Sequence, residues 1–231
     1  MQKKSSKGDI QLSNSVKTCE LFDVKTPYLV DLFKSTEYPW EILPKIKTYI
    51  KDLIDSGLSD FTEISEGVFV ADGVTISPTA TIEPPAIIGK GTVIRPGAYL
   101  RGNVICGGNC VIGNSTELKN CILLDFAQVP HYNYVGDSIL GNYAHMGAGS
   151  ICSNLKSDGK PVVIHGNVDF ETNLRKVGGI LADHADIGCG CVLNPGTVIG
   201  KNTSVYPLNS LRGVYPPDSI VKDKENIVKR I

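Results

Sequence analysis

The sequence predicts a mainly β fold, a parallel solenoid wound from six-residue units, and three observations carry that reading. From Val70 to Leu124 an aliphatic residue falls on every sixth position: Val70, Ile76, Ile82, Ile88, Ile94, Leu100, Ile112, Leu118 and Leu124, with Cys106 as the one unbranched member. Two residues ahead of each stands something compact or β-branched, among them Ala80, Ala86, Thr92, Ala98 and Cys110. A period of six matches neither the 3.6 residues of a helical turn nor the alternation of a strand, so it marks a structural repeat.

Each unit supplies one short strand and one corner, with the branched residue pointing inward. Three units close a triangular coil, so residues eighteen apart stack at the ordinary strand spacing of about 4.8 Å. Residues 1–16 are polar and read as a flexible tail, and 17–62 as a helical region. Within it, Pro27 to Lys34 and Glu41 to Ser56 have helical spacing, with Ile42, Ile46, Tyr49, Ile50, Leu53 and Ile54 on one face. The Tyr38-Pro39-Trp40 turn separates the two, and the expected role of Trp40 is packing. This small helical cap is expected to cover the open first coil, whose bare edge would invite aggregation.

The solenoid is expected over 63–216. After Leu118 the beat slips, and the inward positions read best as Leu123, Val129, Val135, Leu140, Met146 and Cys152, two units having lost a residue each. Strict spacing returns at Ile187, Leu193, Ile199, Val205 and Leu211. Between them lies a polar loop insertion, 153–186, of a length that in a compact solenoid is usually functional. Residues 217–231 follow a proline stop and read as a basic tail.

A net charge of -1 with no polybasic face gives no reason to expect nucleic acid or an anionic membrane as partner. No run of eighteen apolar residues occurs, and the amino terminus lacks the apolar core of a secretory signal, which predicts a cytoplasmic protein. Seven cysteines without a CxxC pair predict free thiols, with neither a metal site nor a disulfide framework.

Arg101 and Lys119 are eighteen apart, each directly after an inward residue. They belong on one outward ladder, where like charges repel unless they share an anion such as phosphate or splay apart into solvent. His131 falls where the repeat slips and suits a general base, although a lone histidine is more often structural. Glu117 could orient it or simply face solvent. His145, His165 and His184 have weaker settings. The loop adds Asn154, Lys156, Lys160, Arg175 and Lys176, with Gly178 and Gly179 permitting close backbone approach.

The segments Leu100-Arg101, Gly113 to Lys119, Val129-Pro130-His131-Tyr132-Asn133-Tyr134-Val135-Gly136-Asp137 and Met146 to Ser150, with Asn154 and Lys160, resemble one branch of the hexapeptide-repeat acyltransferases. That branch comprises the acetyltransferase domain of the bacterial bifunctional enzyme that makes UDP-N-acetylglucosamine and its archaeal sugar-1-phosphate counterparts. The resemblance implies a left-handed parallel β-helix and a cytoplasmic homotrimer whose sites lie between subunits. The implied reaction is acetyl-CoA-dependent N-acetylation of an amino-sugar 1-phosphate, with no metal. It implies His131 as general base with Glu117 nearby and Asn154 in the catalytic loop. It also implies Arg101 and Lys119 on the phosphate, and Tyr134, His145 and Lys160 on the sugar, His145 standing where the family has asparagine. Pro195 corresponds to the small residue lining the acetyl-CoA cleft, and Lys222 or Lys224 are the candidates for the coenzyme's phosphates. The family's nucleotidyltransferase domain has no counterpart in the sequence, so uridylyl transfer is not expected of this chain. Two rivals stay open: a non-catalytic solenoid that binds sugar nucleotides or scaffolds a partner, and a γ-class carbonic anhydrase with three metal histidines.

Overall fold

The computed structural model describes residues 16–230. Apart from Val16, the expected 1–16 tail lies outside the described residues. The chain winds into a β-solenoid with three walls of parallel strands, consistent with a left-handed β-helix. Wall A holds nine strands, from Phe61–Ser65 to Val214–Tyr215. Wall B holds nine, from Thr75–Ile76 to Asn226–Lys229, and wall C seven, from Thr81–Glu83 to Ser210–Leu211.

The register follows the six-residue beat. Ile88 pairs with Cys106, Ile94 with Ile112 and Leu100 with Leu118, each eighteen residues apart. The offset drops to seventeen where Leu123 pairs with Cys106, Val129 with Ile112 and Val135 with Leu118. Leu123 is therefore the inward residue, and Leu124, which the strict count would place inside, packs in the outer apolar cluster. The compact residues line the core near the corners, and their polar members are satisfied: buried Thr92 donates to the Gly107 carbonyl and Thr116 to that of Val129. Corner residues adopt the left-handed conformation, which explains Asn103, Asn109 and Asn120 there.

Wall A has an apolar outer face as well. Ile87, Ile105, Ile122, Ile139, Ile180 and Val198 form a continuous outward ladder, fully buried. The amino-terminal helices Thr18–Leu21, Pro27–Lys34 and Ile46–Ser56 cover it through Leu21, Leu29, Leu32, Phe33, Ile46 and Ile50. Each such burial contributes about 1.5–3 kcal/mol relative to exposure. The helices thus clasp a flank of the solenoid instead of capping its first coil. At that end the antiparallel strand Phe61–Ser65 folds back on Val68–Ala71.

Two expected boundaries also move. Gly179–Leu181 is already a wall A strand, with Leu181 inward, so the inserted loop ends near Gly178 and not at Asp186. Its antiparallel hairpin, Val163–His165 with Asp169–Glu171, packs Val162 and Ile164 into the outer cluster beside the helices. Trp40, 4% exposed, stacks on Tyr38 at 4.8 Å and meets Phe170 of the hairpin at 5.8 Å, so the clasp also grips the insertion. Beyond Pro216 and Pro217 the chain does not leave the solenoid. Val221 is an inward core residue, and Ser219–Asp223 with Asn226–Lys229 closes wall B as a hairpin.

Candidate active site

Wall C is polar outside. In successive coils its outward residues are Thr81 and Glu83, Tyr99 and Arg101, Glu117 and Lys119, then Tyr134 and Gly136. Arg101 and Lys119 follow the paired inward residues Leu100 and Leu118, one coil apart on one ladder, where parallel pairing puts their backbones about 4.8 Å apart. Each cation has a carboxylate partner. Arg101 Nη1 donates to Glu117 Oε1 at 2.6 Å, and Lys119 Nζ stands 3.8 Å from Asp137 Oδ2. Both bridges are partly exposed, and a multivalent anion would compete for the same N–H groups.

Tyr134 lies one coil above Glu117. A Cβ at Gly136 would come within 2.4 Å of the Tyr134 hydroxyl and 2.7 Å of Asn154 Nδ2, so only glycine lets the phenol fold across the strand. Asn154 Nδ2 donates to that hydroxyl at 3.3 Å and to Asp137 Oδ2 at 2.5 Å. Buried Asp137 also accepts from Asn120 Nδ2 at 2.9 Å, so one carboxylate ties together Lys119, Asn120 and Asn154. Partial burial pushes the Tyr134 hydroxyl pKa upward and keeps it a hydrogen-bond donor near neutral pH.

His131 ends the wall B strand Gln128–His131, at the corner where the chain turns into wall C, and it is exposed. Among the described residues its imidazole has no hydrogen-bond partner. Its backbone is fixed: buried Asn133 accepts the His131 N–H at 3.1 Å and donates to the carbonyls of Gly147 at 2.9 Å and Ser150 at 3.2 Å. Glu117 is engaged by Arg101 and does not orient this ring.

The structure therefore brings Arg101, Lys119, Tyr134 and Asn154 onto or beside one wall. His131 does not join their ladder; the width of wall C separates it from the two cations, which lie at the opposite ends of the strands. His145 is on wall B, with Nδ1 2.8 Å from Asp186 Oδ1, and this hydrogen bond holds the Asp186 carboxyl below the usual range. Lys160 is exposed in the insertion, its backbone N–H bound by Asp158. Pro195 lines a cavity of about 450 Å³ with Ser153, Leu155, Lys156, Asn194 and Arg212, immediately above the Tyr134 coil. Lys222 and Lys224 are exposed near the carboxy-terminal hairpin and do not line it.

The four histidines lie at separate places in the fold, and among the described residues no three His, Cys, Asp or Glu side chains converge as ligands. All seven cysteines are free, and burial pushes the thiols of Cys110 and Cys152 up to about 12. No helix among the described residues is long and apolar enough to cross a membrane.

Sequence reasoning missed Asp137, Asn133, Gly136 and Asn120 as organisers of the site. The signal was present in the Gly136-Asp137 pair two residues after Tyr134, since a corner carboxylate sheltered by a close glycine needs donors around it.

Residues 67–102 match the family model described as bacterial transferase hexapeptide (six repeats), and residues 92–174 match the GMPPB C-terminal domain. The bifunctional protein GlmU of Methanococcus vannielii is 30% identical over 234 aligned residues, covering 98% of this chain and 56% of that protein. The bifunctional sugar-1-phosphate nucleotidylyltransferase/acetyltransferase of Sulfurisphaera tokodaii is 32% identical over 96 residues, 40% of this chain and 23% of that protein. The chain thus spans little more than half of one relative and under a quarter of the other. Among solved structures, a point mutant of AntD, an N-acyltransferase from Bacillus cereus, in complex with dTDP-4-amino-4,6-dideoxyglucose and coenzyme A, aligns with a TM-score of 0.43 at 21% identity. That alignment covers 74% of this chain and 89% of that one. The two family matches overlap at residues 92–102 within the solenoid, and the chain's homologues are GlmU and the archaeal bifunctional sugar-1-phosphate nucleotidylyltransferase/acetyltransferase.

Proposed function

We propose that this chain is an acetyl-CoA-dependent N-acetyltransferase acting on an amino-sugar 1-phosphate resembling glucosamine 1-phosphate, and that it works as a homotrimer. The observation that carries the reading is the Arg101–Lys119 ladder, with Tyr134 and Asn154 set directly above it. Two stacked cations next to a phenol and an amide suit a sugar phosphate: the phosphate spans the cations while hydroxyls find the neutral groups. The Sulfurisphaera tokodaii relative is a bifunctional sugar-1-phosphate nucleotidylyltransferase/acetyltransferase by name, which supports the same class.

The amine attacks the thioester carbonyl, His131 takes the amine proton, and the coenzyme thiolate leaves and is protonated. In this reading backbone N–H groups near the loop hold the oxyanion that develops on the acetyl group, while Asn154, whose amide donates to Tyr134 and Asp137, keeps the phenol in position. Pro195 lines the groove for the thioester end of the coenzyme. Within one chain His145 and the cations face apart on walls B and C, so a complete site needs wall B of one protomer to meet wall C of the next. That arrangement supports the trimer.

The test is thiol release from acetyl-CoA with phosphorylated and free amino sugars. The phosphorylated acceptor is preferred, and Lys119→Ala raises its KM about 10–100-fold while leaving that of acetyl-CoA unchanged. Equal effects on both substrates would remove the phosphate role.

A further inference from the structure

The corner between walls A and B carries one left-handed residue per coil, and in three consecutive coils that residue is aromatic: Phe126, Tyr143 and His184, with φ of 62, 58 and 60°. Asparagine or glycine takes this conformation easily, whereas bulky side chains resist it. The neighbouring corners of the same series are Asn109 and Asn202, so the rings occupy positions where the fold itself asks for something smaller. They stack in parallel, Phe126 on Tyr143 at 4.6 Å and 3°, Tyr143 on His184 at 4.9 Å and 5°. All three are exposed.

Alongside this stack lies a cavity of about 620 Å³, lined by Tyr143, His184, Asp186, Asn202, Ser204, Asp218, Lys229 and Arg230. A volume of that size suits a small organic ligand. Arg230 is held in place from one side: Nη1 donates to the Asn202 carbonyl at 3.0 Å and reaches Ser204 Oγ at 3.5 Å, and its backbone N–H is bound by the Asp218 carbonyl at 2.7 Å. Its charge also acts on Asp186 across the cavity and helps to hold that carboxyl down. Both faces of Tyr143 are taken by Phe126 and His184, so the cavity combines the exposed edges of the stack with two carboxylates and two cations. A bare anion is repelled by Asp186 and Asp218, and a neutral ring leaves the cations unused.

We propose that this cavity binds a nucleoside phosphate, with its base against the exposed edges of the Tyr143 and His184 rings, its ribose hydroxyls donating to Asp218 and its phosphate on Arg230 and Lys229. None of these residues has a role in the acetyl-transfer site described above. The same chemistry is offered by the nucleotide end of an acyl coenzyme and by the nucleotide of a nucleotide-linked sugar.

Calorimetric titration of the full chain with adenosine 3′,5′-bisphosphate, UDP and inorganic phosphate distinguishes these sources. At least one nucleotide binds, inorganic phosphate binds at least tenfold more weakly, and His184→Asn and Arg230→Gln each weaken the nucleotide about tenfold at an unchanged melting temperature. Asparagine at 184 removes the ring while tolerating the left-handed backbone. Binding of the adenosine compound alone assigns the cavity to the coenzyme, and of UDP alone to a nucleotide-linked sugar. Failure of both nucleotides to bind, or an affinity unmoved by either variant, overturns the proposal. Binding is read without turnover, so the absence of acetyl transfer would leave this result standing.

Discussion

The dipeptide Ile-Cys occurs on two walls of the solenoid, as Ile105-Cys106 on wall A and Ile151-Cys152 on wall C. Both cysteines point inward and are wholly buried. Ile105 is buried under the helical clasp, whereas Ile151 is 38% exposed. The backbone ladder is the same in both places, so the outward residues alone decide what each wall becomes. On wall A, Ile87, Ile105, Ile122, Ile139 and Ile180 follow one another without a polar interruption, and the helices and the inserted hairpin come down on them. On wall C the corresponding series runs Tyr99, Glu117, Tyr134 and Ile151, and among the described residues no helix or strand covers it. One wall is a second core, and the other is a surface on which a ligand can be held.

That division separates stability from activity, and the sharpest way to break it is at His131. Its ring is exposed and makes no hydrogen bond among the described residues, so His131→Ala is expected to lower the rate of acetyl transfer about 10²–10⁴-fold with the melting temperature unchanged. Turnover at the wild-type rate would remove it as the base. The converse holds on wall A. Ile105→Ala leaves a cavity beneath the clasp and is expected to cost about 2–5 kcal/mol in urea unfolding, while Ile151→Ala at the equivalent position stays within about 0.5 kcal/mol. Equal costs would mean that wall C is also covered.

Much of this was legible in the sequence because the inward residues obey a strict count. The seventeen-residue coils were legible too, since Leu123 and Leu140 restore the beat after each shortened unit. The clasp was misplaced for a related reason. The residue before each inward one was in plain view as Ile87, Ile105, Ile122 and Ile139, but a second apolar ladder shows only when the coil offset is applied to outward positions as well. At the carboxy terminus Pro216-Pro217 read as a stop, although an edge strand tolerates proline ahead of it and Val221 resumes the core. In the site, spacing placed Lys119 above Arg101 but said nothing of their bridges to Glu117 and Asp137, because ion pairs between coils depend on side-chain reach and not on register. The position of His131 across wall C from the cations likewise depends on where the corner falls within the unit.

Walls B and C can be set against each other in the same way. If the site is completed across a subunit seam, chains carrying His145→Ala and chains carrying Lys119→Ala, each impaired alone, recover activity when refolded together. At equal mixing about a quarter of the seams pair an intact wall B with an intact wall C. Recovery no greater than the sum of the separate chains would place the whole site within one protomer.

The smallest effect is expected at Asp186 on wall B. The His145 hydrogen bond lowers its carboxyl pKa in the folded protein. A carboxylate depressed on folding contributes stability that is present above its unfolded value of about 3.9 and is lost as the pH falls through the lower folded value. With its side chain 58% exposed, the contribution is well under about 1 kcal/mol. Asp186→Asn is therefore expected to melt slightly below the wild type near neutral pH, with the difference closing as the pH drops below the carboxylate range. A gap that persists at about pH 2 would show that Asp186 holds wall B by packing and not by its charge, and the open walls would then share in the stability otherwise assigned to wall A.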